Sequence, residues 1–102
     1  MSRIYDLDIV VVGHAGDGNL HPAILTDFDN KDFYERSVKA MDEIMEAAID
    51  LGGVLSGEHG IGLEKRKFIG RALEPVVIDL MKGIKALVDP NSIMNPKKIW
   101  EQ

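Results

Sequence analysis

Asp8-Ile9-Val10-Val11-Val12-Gly13-His14-Ala15-Gly16-Asp17-Gly18-Asn19-Leu20-His21-Pro22-Ala23-Ile24-Leu25-Thr26 is the stretch whose reading decides the fold. Its β-branched opening, closed by Gly13, predicts a strand buried on both faces. Leu20 to Thr26 predicts a second strand. There Pro22 marks an edge position or an irregular start, because proline has no N–H to give to a ladder. The residues between, Ala15-Gly16-Asp17-Gly18-Asn19, are turn formers, and a β-hairpin is the simplest connection. Two of the three histidines, His14 and His21, bracket that turn.

Working outward, Asp27 to Asn30 forms a polar turn able to cap a helix. From Lys31 to Leu51 the apolar residues Tyr34, Val38, Met41, Met45 and Ala48 recur at alternating steps of four and three. That spacing predicts one face of an amphipathic helix, ended by Gly52-Gly53. Val54-Leu55-Ser56 predicts a short strand leading into a second glycine-rich loop, Ser56-Gly57-Glu58-His59-Gly60-Ile61-Gly62. The third histidine, His59, follows an acid there. Leu63 to Gly70 predicts a short basic helix. Glu74-Pro75 opens another, with Pro75 at its first position. Val77, Leu80, Met81, Ile84 and Leu87 are its expected buried stripe, and Asp89-Pro90 is its stop. The tail from Asn91 holds further proline–asparagine turns and an apolar end, Ile99-Trp100.

Composition narrows the classes. At 102 residues the chain predicts one small domain. A net charge of −5 argues against nucleic acid, which demands a basic face. The short Lys65-Arg66-Lys67 cluster reads as a solvated helix face. With no cysteine, any metal must take nitrogen and oxygen ligands, and an intracellular setting fits. Ile9 to Val12 is the longest apolar run, too short to cross a bilayer. The N-terminus has no signal-peptide pattern. A cytoplasmic protein without a transmembrane segment is the expectation.

Two imidazoles, a carboxylate and a further imidazole, all set among glycines, are the parts of a three-ligand divalent metal site with a base beside it. Residues flanking a hairpin loop can face each other with Cβ atoms about 4.5–5.5 Å apart. His14 and His21 so placed would reach one ion, and Glu58 would join from a third strand end. Such a set leaves coordination positions open, as a catalytic site requires. The competing reading is structural: the histidines bond loop backbone, and Glu58-His59 caps a turn. A phosphate cradle is a further alternative, against which neither loop has a Walker pattern. Asp17 and Asn19 read as turn formers, with substrate contact the alternative for Asn19.

These two loops, followed by Asp89-Pro90-Asn91 and Met94-Asn95-Pro96-Lys97-Lys98, closely resemble the C-terminal region of FAD-linked 2-hydroxy-acid dehydrogenases. That group includes the flavin subunit of glycolate oxidase, D-lactate dehydrogenase and D-2-hydroxyglutarate dehydrogenase. The likeness implies an α+β fold: part of a ferredoxin-like substrate (cap) domain, with an antiparallel sheet and helices packed on one face. It implies that His14, His21 and Glu58 bind a divalent metal, zinc by preference, and that His59 is the base toward the substrate hydroxyl. It places Asn95 against the flavin. Lys97 stands where the family commonly has glycine, which puts a close backbone approach there in question and makes Lys98 the match to the family lysine.

The resemblance further implies that FAD is held mainly by an upstream domain or subunit of the vanillyl-alcohol-oxidase type, outside these residues. The expected partners are a small 2-hydroxy acid and that FAD-binding unit, and a larger assembly could sit peripherally on a membrane. A non-catalytic metal- or ligand-binding module is the rival function, and a metallohydrolase using His59 ranks below it. The chain alone is expected to fold without turning over substrate. Its uncovered apolar faces predict self-association, most simply a homodimer through strand edges near Val10 or Leu25.

Overall fold

The computed structural model describes residues 1–100. The chain divides into two compact units, Met1–Leu51 and a second that starts at Gly52.

The first unit opens with a single helical turn, α1 (Ser2–Tyr5). Two strands follow, β1 (Ile9–His14) and β2 (Asn19–Ile24), joined through a 3-10 turn at Ala15–Asp17. They pair antiparallel, with Ile9 opposite Ile24, Val11 opposite Pro22 and His14 opposite Asn19. Among the described residues this sheet has two strands. Pro22 therefore lies on an edge, where a missing N–H costs no ladder bond.

The expected burial of β1 does not hold. Val10, Val11 and Val12 are 48%, 56% and 61% exposed. Branching at Cβ favours the extended backbone, but burial on both faces requires a layer on each side of the sheet. Gly13 is set by close approach: a Cβ there would stand 2.2 Å from the carbonyl oxygen of Asn19. Gly13→Ala should force the hairpin apart beside His14 and destabilise it by about 1–3 kcal/mol, the usual range for overpacking. Chemical denaturation checks this; an unchanged midpoint would mean that the strands tolerate the methyl.

α2 (Lys31–Asp50) matches the predicted helix within a residue. Asn30 caps it, its Oδ1 accepting from the Phe33 N–H at 3.1 Å, an interaction worth about 1 kcal/mol. Gly52, at φ 78°, follows the C-cap Leu51 in the left-handed conformation that glycine allows. The predicted stripe holds over the later turns, with Met45 buried and Met41 and Ala48 half-buried, and fails over the first ones. Ser37, Ala40 and Met45 are its buried residues, whereas Tyr34 and Val38 are exposed. Ser37 can be buried because its hydroxyl donates to the Phe33 carbonyl at 2.9 Å and bonds Thr26 Oγ1 at 2.8 Å. On the same side, Arg36 donates to the Tyr5 and Asp6 carbonyls at 2.5 and 3.0 Å. Those bonds satisfy the open end of α1, where Asp6 turns left-handed at φ 51°.

In the second unit Val54-Leu55-Ser56 is not a strand. Leu55 is buried, but no neighbouring strand pairs with this segment among the described residues. The helix expected from Leu63 begins later and in two pieces. A turn leads to a 3-10 segment, Arg66–Phe68, and then to α3 (Ile69–Ala72). Phe68 and Ile69 are buried at the join. α4 (Pro75–Val88) runs between the predicted boundaries, with Pro75 in its first turn and Asp89 at its end. Its apolar stripe is largely uncovered: Leu80, Ile84 and Leu87 are 64%, 57% and 82% exposed. Met81, a member of that stripe, is half-buried as expected, and Ile78, outside it, is half-buried too. The class is α+β, as expected. Among the described residues no helix is long and apolar enough to cross a membrane.

Candidate functional site

His14 ends β1 and pairs with Asn19, while His21 on β2 pairs with Val12. In an antiparallel ladder opposite residues share a face, as do residues two apart on a strand. His14, Asn19 and His21 therefore lie on one face, with the two histidines diagonal to each other rather than directly opposite. Their ring centres are 6.1 Å apart and nearly perpendicular, at 81°. A ring nitrogen of one lies within 4.8 Å of a ring nitrogen of the other. An ion about 2.0–2.1 Å from each nitrogen would put the ring centres on the order of 5–6 Å apart. The pair thus has the spacing that two imidazole ligands need. The turn behind it is tight: Gly18, at φ 69°, closes it by donating to the Ala15 carbonyl at 3.2 Å.

Glu58 and His59 belong to the second unit, on a loop without regular structure. His59 Nε2 lies 3.8 Å from Glu58 Oε1, and both side chains are exposed. The loop is closed by Ser56, whose Oγ accepts from the Gly60 N–H at 2.6 Å.

The tail beyond α4 has an unusual backbone. Ser92, Asn95, Lys97 and Ile99 have φ of 51°, 44°, 59° and 70°. Side-chain-bearing residues rarely enter this region, and β-branched ones least of all. Lys97, which stands where the resemblance has a glycine, takes a left-handed conformation that glycine favours, at a cost of roughly 1–2 kcal/mol relative to glycine. Beside the tail is a groove of about 380 Å³, bordered by Lys85, Asp89, Asn95, Lys98, Ile99 and Trp100.

Sequence reasoning gave Asp89 no role of its own beyond stopping a helix and forming part of a motif. The residue is 4% exposed. Lys85 and the N–H groups of Met94 and Ile93 bond its carboxylate and hold its pKa below the ordinary carboxylate range. The available signal was an acid directly after the last helical residue and ahead of a proline-broken turn, where a carboxylate can accept free backbone N–H groups.

Residues 2–99 match the family described as FAD linked oxidases, C-terminal domain. The chain belongs to that family. Among curated proteins it is 50% identical over 96 residues to the glycolate oxidase subunit GlcD of Bacillus subtilis (strain 168), a match covering 94% of this chain and 20% of that protein. It is 41% identical over 95 residues to a D-lactate dehydrogenase of Anaerostipes hadrus, covering 92% of this chain and 20% of the relative. A D-2-hydroxyglutarate dehydrogenase of Stutzerimonas stutzeri (strain A1501) is 40% identical over 97 residues, covering 93% and 21%. The chain spans about a fifth of the length of these family members.

Proposed function

We propose that residues 1–102 form the metal- and substrate-binding C-terminal portion of an FAD-dependent enzyme that oxidises a small 2-hydroxy acid, of the glycolate, D-lactate or D-2-hydroxyglutarate class, to the 2-oxo acid. The observation that carries this reading is the histidine pair on one hairpin face, 6.1 Å between ring centres, in a chain of the FAD linked oxidase family.

His14, His21 and Glu58 would hold a divalent ion, zinc by the family resemblance. Such an ion supplies Lewis acidity that lowers the pKa of a hydroxyl bound to it. His59 then accepts the hydroxyl proton at an imidazole nitrogen, as a general base must. Its loop is closed by Ser56, and the imidazole is exposed, which supports that role. Asn19, on the same face as the histidine pair, contacts the substrate. Asn95 and Lys98 contact the FAD, which supplies the hydride acceptor when bound. FAD itself is carried mainly by an upstream domain or subunit. The exposed apolar stripe of α4 and the open valines of β1 support docking onto further protein surface, as a homodimer when the chain is alone. A cytoplasmic site of action completes the reading.

The test is the complete flavoprotein, loaded with FAD and zinc, assayed against a panel of 2-hydroxy acids with a dye as electron acceptor. Dye reduction with at least one member is expected. A loaded protein that reduces dye with none of them would remove the proposal.

A further inference from the structure

We propose that Asp89 is the positioning residue for Asn95 and Lys98, clamping the strained tail onto the end of α4. The inference rests on the reading of those two residues as FAD contacts, and it assigns the reason they are held in place.

Asp89 is the first residue after α4 and is almost fully buried. Its Oδ1 accepts from the Ile93 N–H at 3.1 Å, and its Oδ2 accepts from the Met94 N–H at 3.0 Å and from Lys85 Nζ. Lys85, one helical turn earlier, also donates to the Met94 carbonyl at 2.6 Å. Both hydrogen-bonding groups of Met94 are therefore fixed by one acid–base pair at the end of α4. Asn95 is the next residue, at a left-handed φ of 44°.

The far end of the tail is tied as well. Arg66 Nη1 donates to the Lys97 carbonyl at 2.9 Å, and the Ile99 N–H donates to the Gly62 carbonyl at 2.8 Å. Gly62 is the last residue of the glycine-rich loop that carries Glu58 and His59. Non-glycine residues at Asn95, Lys97 and Ile99 in the left-handed region do not hold that shape unaided; it persists where surrounding bonds over-determine it. The Asp89 carboxylate and the Lys85 ammonium it holds make the bonds nearest Asn95. The carboxylate bonds backbone rather than any side chain of the tail, so it sets where Asn95 and Lys98 point without touching a ligand.

Two readouts test this. In the 102-residue chain, Asp89→Asn turns one acceptor into a donor that faces an N–H or an ammonium. Amide exchange at Ile93 and Met94 should quicken at least tenfold while the amides in the middle of α4 keep their rates. Lys85→Met leaves the carboxylate in place and should give a smaller change of the same sign, which covers the case in which Asp89→Asn fails to fold. In the FAD-loaded protein, Asp89→Asn and Asn95→Ala should each weaken FAD retention about tenfold, read from the fluorescence of released flavin. The double variant should be no weaker than the worse single one, as for groups acting through one contact. Unchanged exchange at 93–94 in both variants overturns the clamp. Loss of FAD from Asn95→Ala but not from Asp89→Asn overturns the positioning role. If Asn95→Ala and Lys98→Ala both retain FAD normally, the FAD-contact reading fails, and the exchange rates then judge the clamp alone.

Discussion

His59→Ala in the complete flavoprotein will lower kcat by about 10²–10⁴-fold, the range that a positioned general base contributes. Metal content should stay unchanged, because the substitution leaves His14, His21 and Glu58 in place. KM should move little, since the lost interaction belongs to proton removal rather than to ground-state binding. The loop should also survive: the bond that closes it runs from the Gly60 N–H to Ser56, not through the imidazole. Steady-state kinetics with metal analysis of the same preparation make the comparison. Normal turnover in His59→Ala would mean that another group takes the proton, and the assignment would be withdrawn.

The second large effect concerns the metal. His14→Ala/His21→Ala should abolish high-affinity zinc binding, a loss beyond the 10–100-fold that removing a partner of a ligating histidine typically costs (roughly, by comparison). The hairpin should persist, because its ladder and its Gly18 turn do not use either imidazole. Binding by the unmodified chain should weaken in acid, since only neutral imidazole ligates a metal. Calorimetric titration with zinc at two pH values compares the proteins directly. Equal affinity in the two would place the ligands elsewhere.

Local signals carried the parts of this fold that depend on local chemistry. Asn30 ahead of a four-and-three apolar spacing marked α2, and Pro75 with Asp89 bracketed α4, because caps and helix breakers act within a turn of where they stand. The glycine-rich turn likewise marked the hairpin. Burial was less legible, since it depends on what lies opposite. Val10 to Val12 and the α4 stripe have the composition of a core and the exposure of a surface. On α2 the first turns of the stripe are exposed, while Ser37, a polar residue, is buried with its hydroxyl bonded. Of the candidate site, the residues that could meet were readable and their register was not. His14 and His21 share a face because an even offset in the ladder keeps them there, but they are diagonal because the turn uses four residues. The left-handed backbone at Asn95, Lys97 and Ile99 left no mark in residue type, as none of them is glycine.

The ties at the far end of the tail also bear on the order of assembly. The hairpin and α2 form from residues close in sequence, and such contacts close quickly and at small entropic cost. Arg66 reaches Lys97 across 31 positions, and the Gly62–Ile99 bond spans a still longer stretch. Ordering that segment means closing a large loop and accepting unfavourable torsions in the same step. The tail is therefore the piece with most to gain from waiting until the helices are in place. The bonds from Asp89, Lys85 and Arg66 then set the free energy at which it opens again, apart from that of the helices.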